Sequence, residues 1–217
     1  MSNRAPQGGI EEFVTALTSA LADYQIDGVS EAQQAQLVAH YRMMLAWNRR
    51  TNLTRITGPD EAARLHYADS LAGGRFVGAA QTLLDIGSGA GFPAIPLAVL
   101  RPDLRVTALE ANQKKSLFLA EARDALGLAN VDIKTARVES FDLSAFDLLT
   151  SRALDRAEEI LPKVAERMSA RQRFMLYCAT ELLDKLTARL AADFTIQAHA
   201  IPQSAARRVA IFARRSA

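Results

Sequence analysis

The sequence predicts an α/β fold: a mostly parallel sheet that ends in an antiparallel hairpin and is preceded by an N-terminal helical extension. From residue 82 onward, short apolar runs alternate with amphipathic segments, as in a parallel sheet covered by helices on both faces. A glycine-rich turn follows the first of these runs and opens the next helix. Only five residues, 202–206, separate the last two extended runs, which leaves no room for a crossover helix and predicts a hairpin.

The extension is predicted to span residues 1–74, and the sheet domain residues 75–217. Residues up to about 9 are expected to be disordered, and amphipathic helices are expected over 10–24 and 31–48. Ser30 and Gln33 have the spacing of a capping box for the second helix. Residues 57–60 open a third helix that runs through Leu71, and a pair of glycines then ends the extension.

The remaining elements follow from apolar periodicity and turn residues. Strands are predicted over 82–86, 104–110, 131–135, 146–150, 172–178, 194–201 and 207–213. Helices are predicted over 93–100, 112–127, 155–168 and 180–192.

The segment 83–92 carries the most informative pattern in the chain. An apolar run ends in Asp85, and Gly87, Gly89 and Gly91 follow, which builds a strand, a sharp turn and a helix start. A ligand can lie there against exposed backbone N–H groups. Glu110, about 20 residues further along, falls at the tip of the second strand, where it can accept both hydroxyl protons of a ribose. The pair predicts a nucleotide pocket, with a purely structural turn as the alternative.

The glycine spacing distinguishes two nucleotides. Dinucleotide dehydrogenases use GxGxxG facing a pyrophosphate, whereas this chain has DxGxGxG, with Asp85 two positions ahead of the first glycine. A carboxylate there repels a phosphate, but it accepts hydrogen bonds from an ammonium, directly or through water, and favours a nearby sulfonium. S-adenosylmethionine carries both charges, and a terminal hairpin is the methyltransferase arrangement. We therefore expect S-adenosylmethionine, with NAD as the alternative.

Composition indicates a globular chain. It has 217 residues, 49% of them hydrophobic, which suffices for the core of about one domain plus an appendage. No stretch approaches the roughly 20 apolar residues of a membrane helix, and residues 1–6 lack a signal-peptide core, so we expect a cytoplasmic protein. The single cysteine, Cys178, excludes an internal disulfide and gives no metal cluster. Its apolar neighbours indicate a buried side chain rather than a nucleophile.

Net charge alone does not indicate nucleic-acid binding, because +2 is small and binding depends on several local phosphate contacts. Local clusters are more informative, and each is either an RNA contact or a solvated face. The clusters are Arg49 with Arg50 and Arg55, Arg207 with Arg208, and Arg214 with Arg215.

Several motifs together closely resemble the bacterial RsmG (GidB) family. They are LLDIGSGAGFPAIPLA, the earlier NLT followed by LHYADSL, the later ARVE, and TSRA, and the likeness spans about residue 30 to the C-terminus. The resemblance implies a class I S-adenosylmethionine-dependent methyltransferase fold, which is Rossmann-like. It also implies methylation of N7 of one guanine in 16S rRNA, near the decoding site of the small ribosomal subunit. By the same resemblance, Gly87 and Phe92 line the donor, Val138 and Glu139 hold the adenine edge, and Arg152 closes the pocket.

The residues themselves support these positions. Val138 and Glu139 follow the third strand, where a backbone N–H or a carboxylate can read the adenine amino group, with a solvated loop acid as the alternative. Arg152 lies at the carboxyl end of the fourth strand, where substrate and cofactor meet in open α/β sheets. Its charge suits the donor's carboxylate or an RNA phosphate, and the alternative is an ion pair with Asp155 or Glu158.

The fourth strand also excludes some chemistries. It ends in TSRA, without the Asn/Asp-Pro-Pro-aromatic element of exocyclic amino methylation and without the cysteine nucleophile of ring-carbon methylation. Guanine N7 carries a free lone pair and attacks the donor methyl without losing a proton, so the site has only to hold the two atoms close, aligned and dry. We therefore expect no catalytic general base.

RNA contacts are predicted at Asn52 of the NLT motif, at His66, and at Arg207 and Arg208. His66 precedes an Asp and a Ser at helical spacing, so it lines the RNA face or is an ordinary packed histidine. The two arginines begin the last strand and match a basic family position, with a solvated edge as the alternative. Many family members have Lys-Gly where this chain has Cys178-Ala179, which puts a lysine-dependent RNA contact there in doubt.

The leading hypothesis is a monomeric RNA methyltransferase whose partner is 16S rRNA in the small subunit, with no metal and no membrane partner. A small-molecule methyltransferase is one alternative, and it would be active without RNA. A noncatalytic RNA-binding or ribosome-assembly module that retains the fold is another, and it would show no turnover. The helical extension and the basic clusters favour a large substrate.

Overall fold

A mixed sheet forms the centre of the computed structural model, which describes residues 7–154 and 156–215. Its strands are β1 (Thr82–Ile86), β2 (Arg105–Leu109), β3 (Val131–Lys134), β4 (Leu148–Arg152), β5 (Arg173–Ala179), β6 (Phe194–Ala200) and β7 (Arg207–Arg214). Their order is β3-β2-β1-β4-β5-β7-β6; β1 to β5 pair in parallel, and β7 runs antiparallel to both β5 and β6. The predicted mostly parallel sheet with a terminal hairpin is confirmed.

Helices cover the sheet and form the extension. They are α1 (Gln7–Asp23), α2 (Glu31–Asn48), α3 (Pro59–Ala62), α4 (Asp69–Ala72), α5 (Ala94–Leu100), α6 (Gln113–Leu126), α7 (Ala157–Glu166) and α8 (Thr180–Leu190). The predicted capping box is present, since Ser30 and Gln33 each accept a hydrogen bond from the other's backbone N–H. The predicted N-terminal disorder is wrong from residue 7 onward, because α1 extends one turn ahead of the buried Ile10; residues 1–6 lie outside the described residues.

The third helix of the extension differs from the prediction in its middle. A π-helical turn, Ala63–Ala68, joins α3 to α4, where the sequence predicted a regular helix through Leu71. Side chains compensate for the altered backbone pairing, because the carbonyl of His66 accepts hydrogen bonds from Ser70 Oγ at 2.6 Å and from Arg152 Nη1 at 3.1 Å. π turns of this kind occur frequently at functional sites.

Strand β4 begins and ends two residues later than predicted. Asp147 holds the preceding loop, since its Oδ2 accepts hydrogen bonds from the backbone N–H groups of Gln81 at 2.9 Å and Thr82 at 3.0 Å. The pairing with β5 continues as far as Arg152 opposite Tyr177. Arg152 is therefore the last residue of a central strand, fixed by sheet pairing.

Two apolar clusters cover the two faces of the sheet. One joins Leu83 and Met175 of the sheet to Phe118 of α6, and it continues into Phe13 and Leu37 of the extension. The other packs α7 and α8 on the opposite face. The extension therefore shares a core with the sheet, and the division at residue 74 stays a prediction.

The thiol of Cys178 belongs to the α7 and α8 cluster, as predicted for a buried side chain. Burial raises its pKa to about 12, which makes the reactive thiolate scarce at neutral pH.

Candidate active site

A cavity of about 400 Å³ opens at the carboxyl ends of β1, β2 and β4. Open α/β sheets bind ligands at this position, and the volume falls in the range of small-molecule sites, about 300–1,000 Å³. Two walls face each other across it. The glycine-loop wall contains Gly87, Ser88, Gly89, Phe92 and Glu110, and the extension wall contains Leu53, Thr54 and His66.

The backbone of the glycine loop is fixed by hydrogen bonds and by its dihedral angles. The N–H groups of Gly87 and Ser88 donate to the carbonyl of Leu109 at 2.8 and 3.2 Å. Gly87, Gly89 and Gly91 have φ angles of 74°, 57° and 88°. Side-chain-bearing residues rarely adopt such angles, so the turn favours glycine at all three positions.

Packing adds a second constraint at two of these glycines. A Cβ at Gly87 would lie 2.6 Å from Leu154 Cδ1, and one at Gly91 would lie 2.6 Å from Ile95 Cγ1. A Cβ at Gly89 would meet no atom nearer than 3.8 Å. The space beside Gly89, which lines the cavity, is therefore available to a ligand.

Glu110 supports the glycine loop from the end of β2. Its Oε2 accepts the N–H of Gly89 at 2.9 Å, and its Oε1 accepts the N–H of Asn112 at 2.8 Å. Each carboxylate oxygen accepts more than one hydrogen bond, so both can still accept from hydroxyls in the cavity. This position agrees with the predicted ribose contact, which stays a prediction.

Asp85 does not line the cavity. Its side chain is fully buried behind the loop, where Oδ2 accepts the N–H of Ala94 at 3.3 Å. The positive end of the α5 dipole favours a carboxylate there, although burial raises its pKa to about 7. The predicted contact of Asp85 with the donor's ammonium, directly or through water, stays a prediction.

Phe92 connects the two walls. The His66 ring stacks on it with centroids 4.4 Å apart, and the Arg152 guanidinium carbon lies 5.6 Å from its centroid. Tyr67 and His40 meet it edge-on at 5.1 and 5.3 Å. Three of these neighbours belong to the extension, so the extension orients an aromatic ring of the glycine-loop wall.

Arg152, His66 and Thr54 form a hydrogen-bonded series along the cavity. Arg152 Nη2 lies 2.7 Å from His66 Nδ1, and His66 Nε2 lies 2.8 Å from Thr54 Oγ1. Arginine only donates, so Nδ1 accepts, and the ring proton is on Nε2, which donates to Thr54. Burial and, next, the charge of Arg152 lower the pKa of His66 to about 3, so the ring is neutral at pH 7.

The alternative ion pair for Arg152 is not formed with Glu158, which pairs instead with Lys185 at 2.8 Å. Asp155, the other proposed partner, lies outside the described residues. Arg152 also donates from Nη1 to Ser70 Oγ at 3.2 Å. Burial lowers its pKa, which shows the cost of a charge held there.

Val138 and Glu139 begin the 3₁₀ turn Val138–Ser140 after β3, and both line the cavity. The turn is tied down by Arg167, whose Nη1 donates to the carbonyl of Val138 at 2.7 Å. Their placement agrees with the predicted adenine edge, which stays a prediction.

The residues predicted for RNA contact lie in different environments. His66 is buried in the extension wall, as a packed histidine. Asn52 is exposed and outside the wall. Arg207 Nε lies 2.8 Å from Oδ2 of the buried Asp69 and so ties β7 to the extension. Arg208 Nη1 donates to the carbonyl of Ala205 at 3.0 Å. Neither arginine lines the cavity, and the RNA contacts stay predictions.

Sequence reasoning missed several residues of the cavity surface. The NLT motif carried a usable signal, because it contributes Leu53 and Thr54 to the wall, although its exposed Asn52 does not line the cavity. Three basic lining residues were also missed: Lys115 in the first turn of α6, Arg137 after β3 and Arg156 before α7.

In its fold, the chain is similar to solved structures of methyltransferases. The chain is similar to a SAM-dependent O-methyltransferase from Thermotoga maritima, with a TM-score of 0.59 and 17% identity over 80% of this chain and 72% of the other. It is also similar to a ribosomal protein L11 methylase from Lactobacillus delbrueckii subsp. bulgaricus, with a TM-score of 0.57 and 15% identity over 70% and 80%.

Comparison with family models and curated proteins identifies a specific family. A family model described as GidB, rRNA small subunit methyltransferase G, matches residues 33–208. The chain is 33% identical over 215 residues to Ribosomal RNA small subunit methyltransferase G of Pseudomonas aeruginosa, covering 94% of this chain and 100% of the relative. It is 37% identical over 172 residues to that of Stutzerimonas stutzeri, covering 78% and 80%. The chain belongs to this family, as its motifs predicted.

Two negative findings concern the residues that the structure describes. No helix there has the length and apolar character to cross a membrane. No group of three or more His, Cys, Asp or Glu side chains there is arranged to hold a metal ion.

Proposed function

We propose that this enzyme transfers the methyl group of S-adenosylmethionine to N7 of one guanine in 16S rRNA, near the decoding site. The relatives are named for methylation of small-subunit rRNA. The observation that carries the choice of N7 is the state of His66. Both of its ring nitrogens are engaged, by Arg152 and by Thr54, so this cavity histidine cannot take a proton from a substrate. Guanine N7 needs no such base.

The cavity fits the donor in several respects. In this proposal Glu110 binds the ribose hydroxyls, and Val138 and Glu139 contact the adenine edge; the support is that all three residues line the cavity. Arg152 offers a charge to the donor's carboxylate, and the space beside Gly89 admits a ligand against the backbone. The bound donor supplies an electrophilic methyl group on a sulfonium.

The reaction forms a bond between guanine N7 and the methyl carbon and breaks the sulfur–methyl bond, whose electron pair stays on sulfur. No proton moves, and the positive charge passes to the guanine ring. The protein therefore contributes by alignment and exclusion of water. The carboxylate of the methyl donor, bound to Arg152, also neutralises the guanidinium charge, which would otherwise destabilise the positively charged methylated guanine.

Two other base-methylation chemistries lack their reactive group in this cavity. Ring-carbon methylation needs a thiolate, but Cys178 is buried outside the cavity wall, and its pKa is raised to about 12. Exocyclic amino methylation relies on an Asn/Asp-Pro-Pro-aromatic element, and β4 ends in TSRA.

The test is incubation with labelled S-adenosylmethionine and small subunits that lack the modification, followed by mass-spectrometric mapping. Label at one guanine N7 of 16S rRNA is the expected result; label on another atom contradicts the proposal. Turnover without RNA indicates a small-molecule enzyme, and subunit binding without turnover indicates an assembly module. We infer that the enzyme acts as a monomer in the cytoplasm, which mass measurement and fractionation of the native protein check.

A further inference from the structure

Thr54 is held in one orientation at the extension wall. Its backbone N–H donates to Asn48 Oδ1 at 3.0 Å, and its carbonyl accepts from Asn48 Nδ2 at 2.9 Å. Its Oγ1 lies 2.8 Å from His66 Nε2 and accepts the N–H of Ile56 at 3.1 Å. Both the backbone and the side chain of Thr54 are therefore fixed before any ligand binds.

The hydrogen bonds of this cluster leave one proton unused. Arg152 forces His66 Nδ1 to accept, so His66 Nε2 donates to Thr54 Oγ1. Thr54 Oγ1 then accepts from His66 and from Ile56, which occupies both of its lone pairs. The Thr54 hydroxyl therefore donates its own proton to none of the described residues. Since Thr54 lines the cavity, the hydroxyl proton is available to an acceptor group of a bound ligand.

The position of Thr54 indicates which ligand. Glu110 directly follows β2 on one side of β1, whereas Arg152, which contacts His66 of the extension wall, is the last residue of β4 on the other side. If Glu110 holds the ribose of the donor, the methylated base approaches from the extension wall. The guanidinium of Arg152 can bind the carboxylate of S-adenosylmethionine. The Thr54 hydroxyl then remains available to hydrogen-bond the base.

We propose that the Thr54 hydroxyl donates a hydrogen bond to O6 of the target guanine and so determines the choice of guanine over adenine. The proposal rests on the proposed function, because it requires a purine methylated at N7. Beside N7, guanine presents the acceptor O6, whereas adenine presents an amino donor.

The Arg152–His66 pair gives Thr54 its selectivity. A free hydroxyl can turn and either donate or accept, so it distinguishes the two bases weakly. Here both lone pairs are occupied, so the hydroxyl meets an adenine amino group donor against donor. Sites that hydrogen-bond a substrate group reject analogues that lack it by factors up to about 10⁴. Thr54 is thus the specificity-determining residue, and His66 is a positioning residue that acts through it.

The experiment measures N7 methylation of small subunits that carry either the mapped guanine or adenine at the same position. Thr54→Val removes the hydroxyl with little change of shape, Thr54→Ser keeps it, and Thr57→Val is a matched control at an exposed threonine outside the wall. We expect Thr54→Val to lower kcat/KM on guanine about 10- to 100-fold, with no loss on adenine, so that the guanine-to-adenine ratio falls by the same factor. Thr54→Ser and Thr57→Val should keep the ratio within about threefold.

Calorimetry with S-adenosylhomocysteine separates the base from the donor. Unchanged affinity in Thr54→Val supports the proposal, whereas a loss equal to the loss in kcat/KM overturns it, because the hydroxyl then serves the donor. An unchanged guanine-to-adenine ratio in Thr54→Val also overturns it. Should that variant fail to fold, the wild-type enzyme still decides: comparable rates on guanine and adenine overturn the proposal, and a strong guanine preference kept by Thr54→Ser supports it. Wild-type label at no N7 rejects the proposed function itself.

Discussion

The two walls of the cavity are built in different ways. In the glycine-loop wall, the shape of the segment 87–92 depends on positive φ angles and on the absence of side chains at its glycines, and Glu110 supports it from beyond the end of β2. The extension wall is made of side chains, and its central contact joins Arg152 to His66, which are 86 positions apart. One wall therefore depends on local backbone geometry, and the other depends on tertiary packing that sets the direction of single hydrogen bonds.

The largest effect is expected from changing the backbone of the glycine-loop wall. Gly91→Ala places a Cβ at a φ of 88°, 2.6 Å from Ile95 Cγ1, so both strain and overlap distort the loop. We expect kcat/KM to fall more than about 100-fold and the free energy of unfolding to fall by about 2–4 kcal/mol. Methyl-transfer kinetics and urea unfolding measure the two effects.

A matched control for this change is Gly127→Ala. Gly127 also has a positive φ, of 65°, but a Cβ there meets nothing within 4 Å, and the residue caps α6 away from the cavity. It should lose about 1 kcal/mol of stability and keep its activity. Equal activity losses in the two variants would mean that loop geometry is not what binds the donor.

The hydrogen bond between Arg152 and His66 is tested by Arg152→Lys. Lysine cannot reproduce the fork that reaches His66 and Ser70 together, so the His66 tautomer is no longer fixed. We expect kcat/KM to fall about 30-fold. Arg173→Lys is the control, because Arg173 also donates to two carbonyls, of Phe76 and Val77, but outside the cavity wall. It should cost stability and leave kcat/KM within about twofold, and a similar activity loss there would contradict the assignment.

The buried histidines of the extension predict a pH dependence of stability. Burial lowers the pKa of His40 and of His66 to about 3, so in the folded state both stay neutral while the unfolded chain binds protons below about pH 6.5. Their contribution is fully present above pH 6.5 and is lost as the pH falls towards 3. Each histidine should reduce the free energy of unfolding by about 1.4 kcal/mol per pH unit in that window.

His40→Asn isolates one of the two contributions. Between pH 7.5 and 5.0 the wild-type protein should lose about 2 kcal/mol more than this variant, whatever the variant's stability at pH 7.5. Urea unfolding at the two pH values measures the difference. An identical loss in both proteins would show that His40 is protonated in the folded state.

The smallest effects concern the two arginines at the start of β7. Arg207→Met leaves the buried Asp69 without its partner at 2.8 Å, and should lower the free energy of unfolding by about 1–2 kcal/mol. Arg208→Met removes contacts to loop carbonyls and should change stability by less than about 0.5 kcal/mol. If Arg208 contacts a phosphate, the plot of the logarithm of the subunit binding constant against the logarithm of salt concentration should become less steep by about one in the variant. Reversal of the two stability effects would contradict this assignment.

Most of the fold could be predicted, because its signals are local. Alternating apolar and amphipathic runs placed every strand of the sheet, and the short 202–206 link gave the antiparallel hairpin. The π turn at Ala63–Ala68 could not be predicted, because it depends on a carbonyl of His66 being satisfied by side chains. The late start of β4 likewise depends on Asp147, which bonds to a segment about 65 positions away.

The site shows the same division. Glycine and acid spacing identified Gly89 and Glu110, and the family resemblance identified Phe92 and Arg152; all four line the cavity, and their contacts with the donor stay predictions. The burial of Asp85 behind the loop could not be predicted, because the direction of a side chain near the end of a strand depends on what packs behind it. Thr54 was missed because the role proposed for it depends on Arg152, which is remote in sequence and fixes the tautomer of His66.

The core shared between the extension and the sheet has a consequence for synthesis of the chain. Leu37 leaves the ribosome roughly 80 residues before Phe118 of the same cluster, and translation proceeds at about 5–20 residues per second. The apolar face of the newly made helices is therefore synthesised about 4 to 16 seconds before the residues that it packs against. We expect that slowing translation between these two points would increase aggregation of the nascent segment, because its apolar face stays exposed for longer.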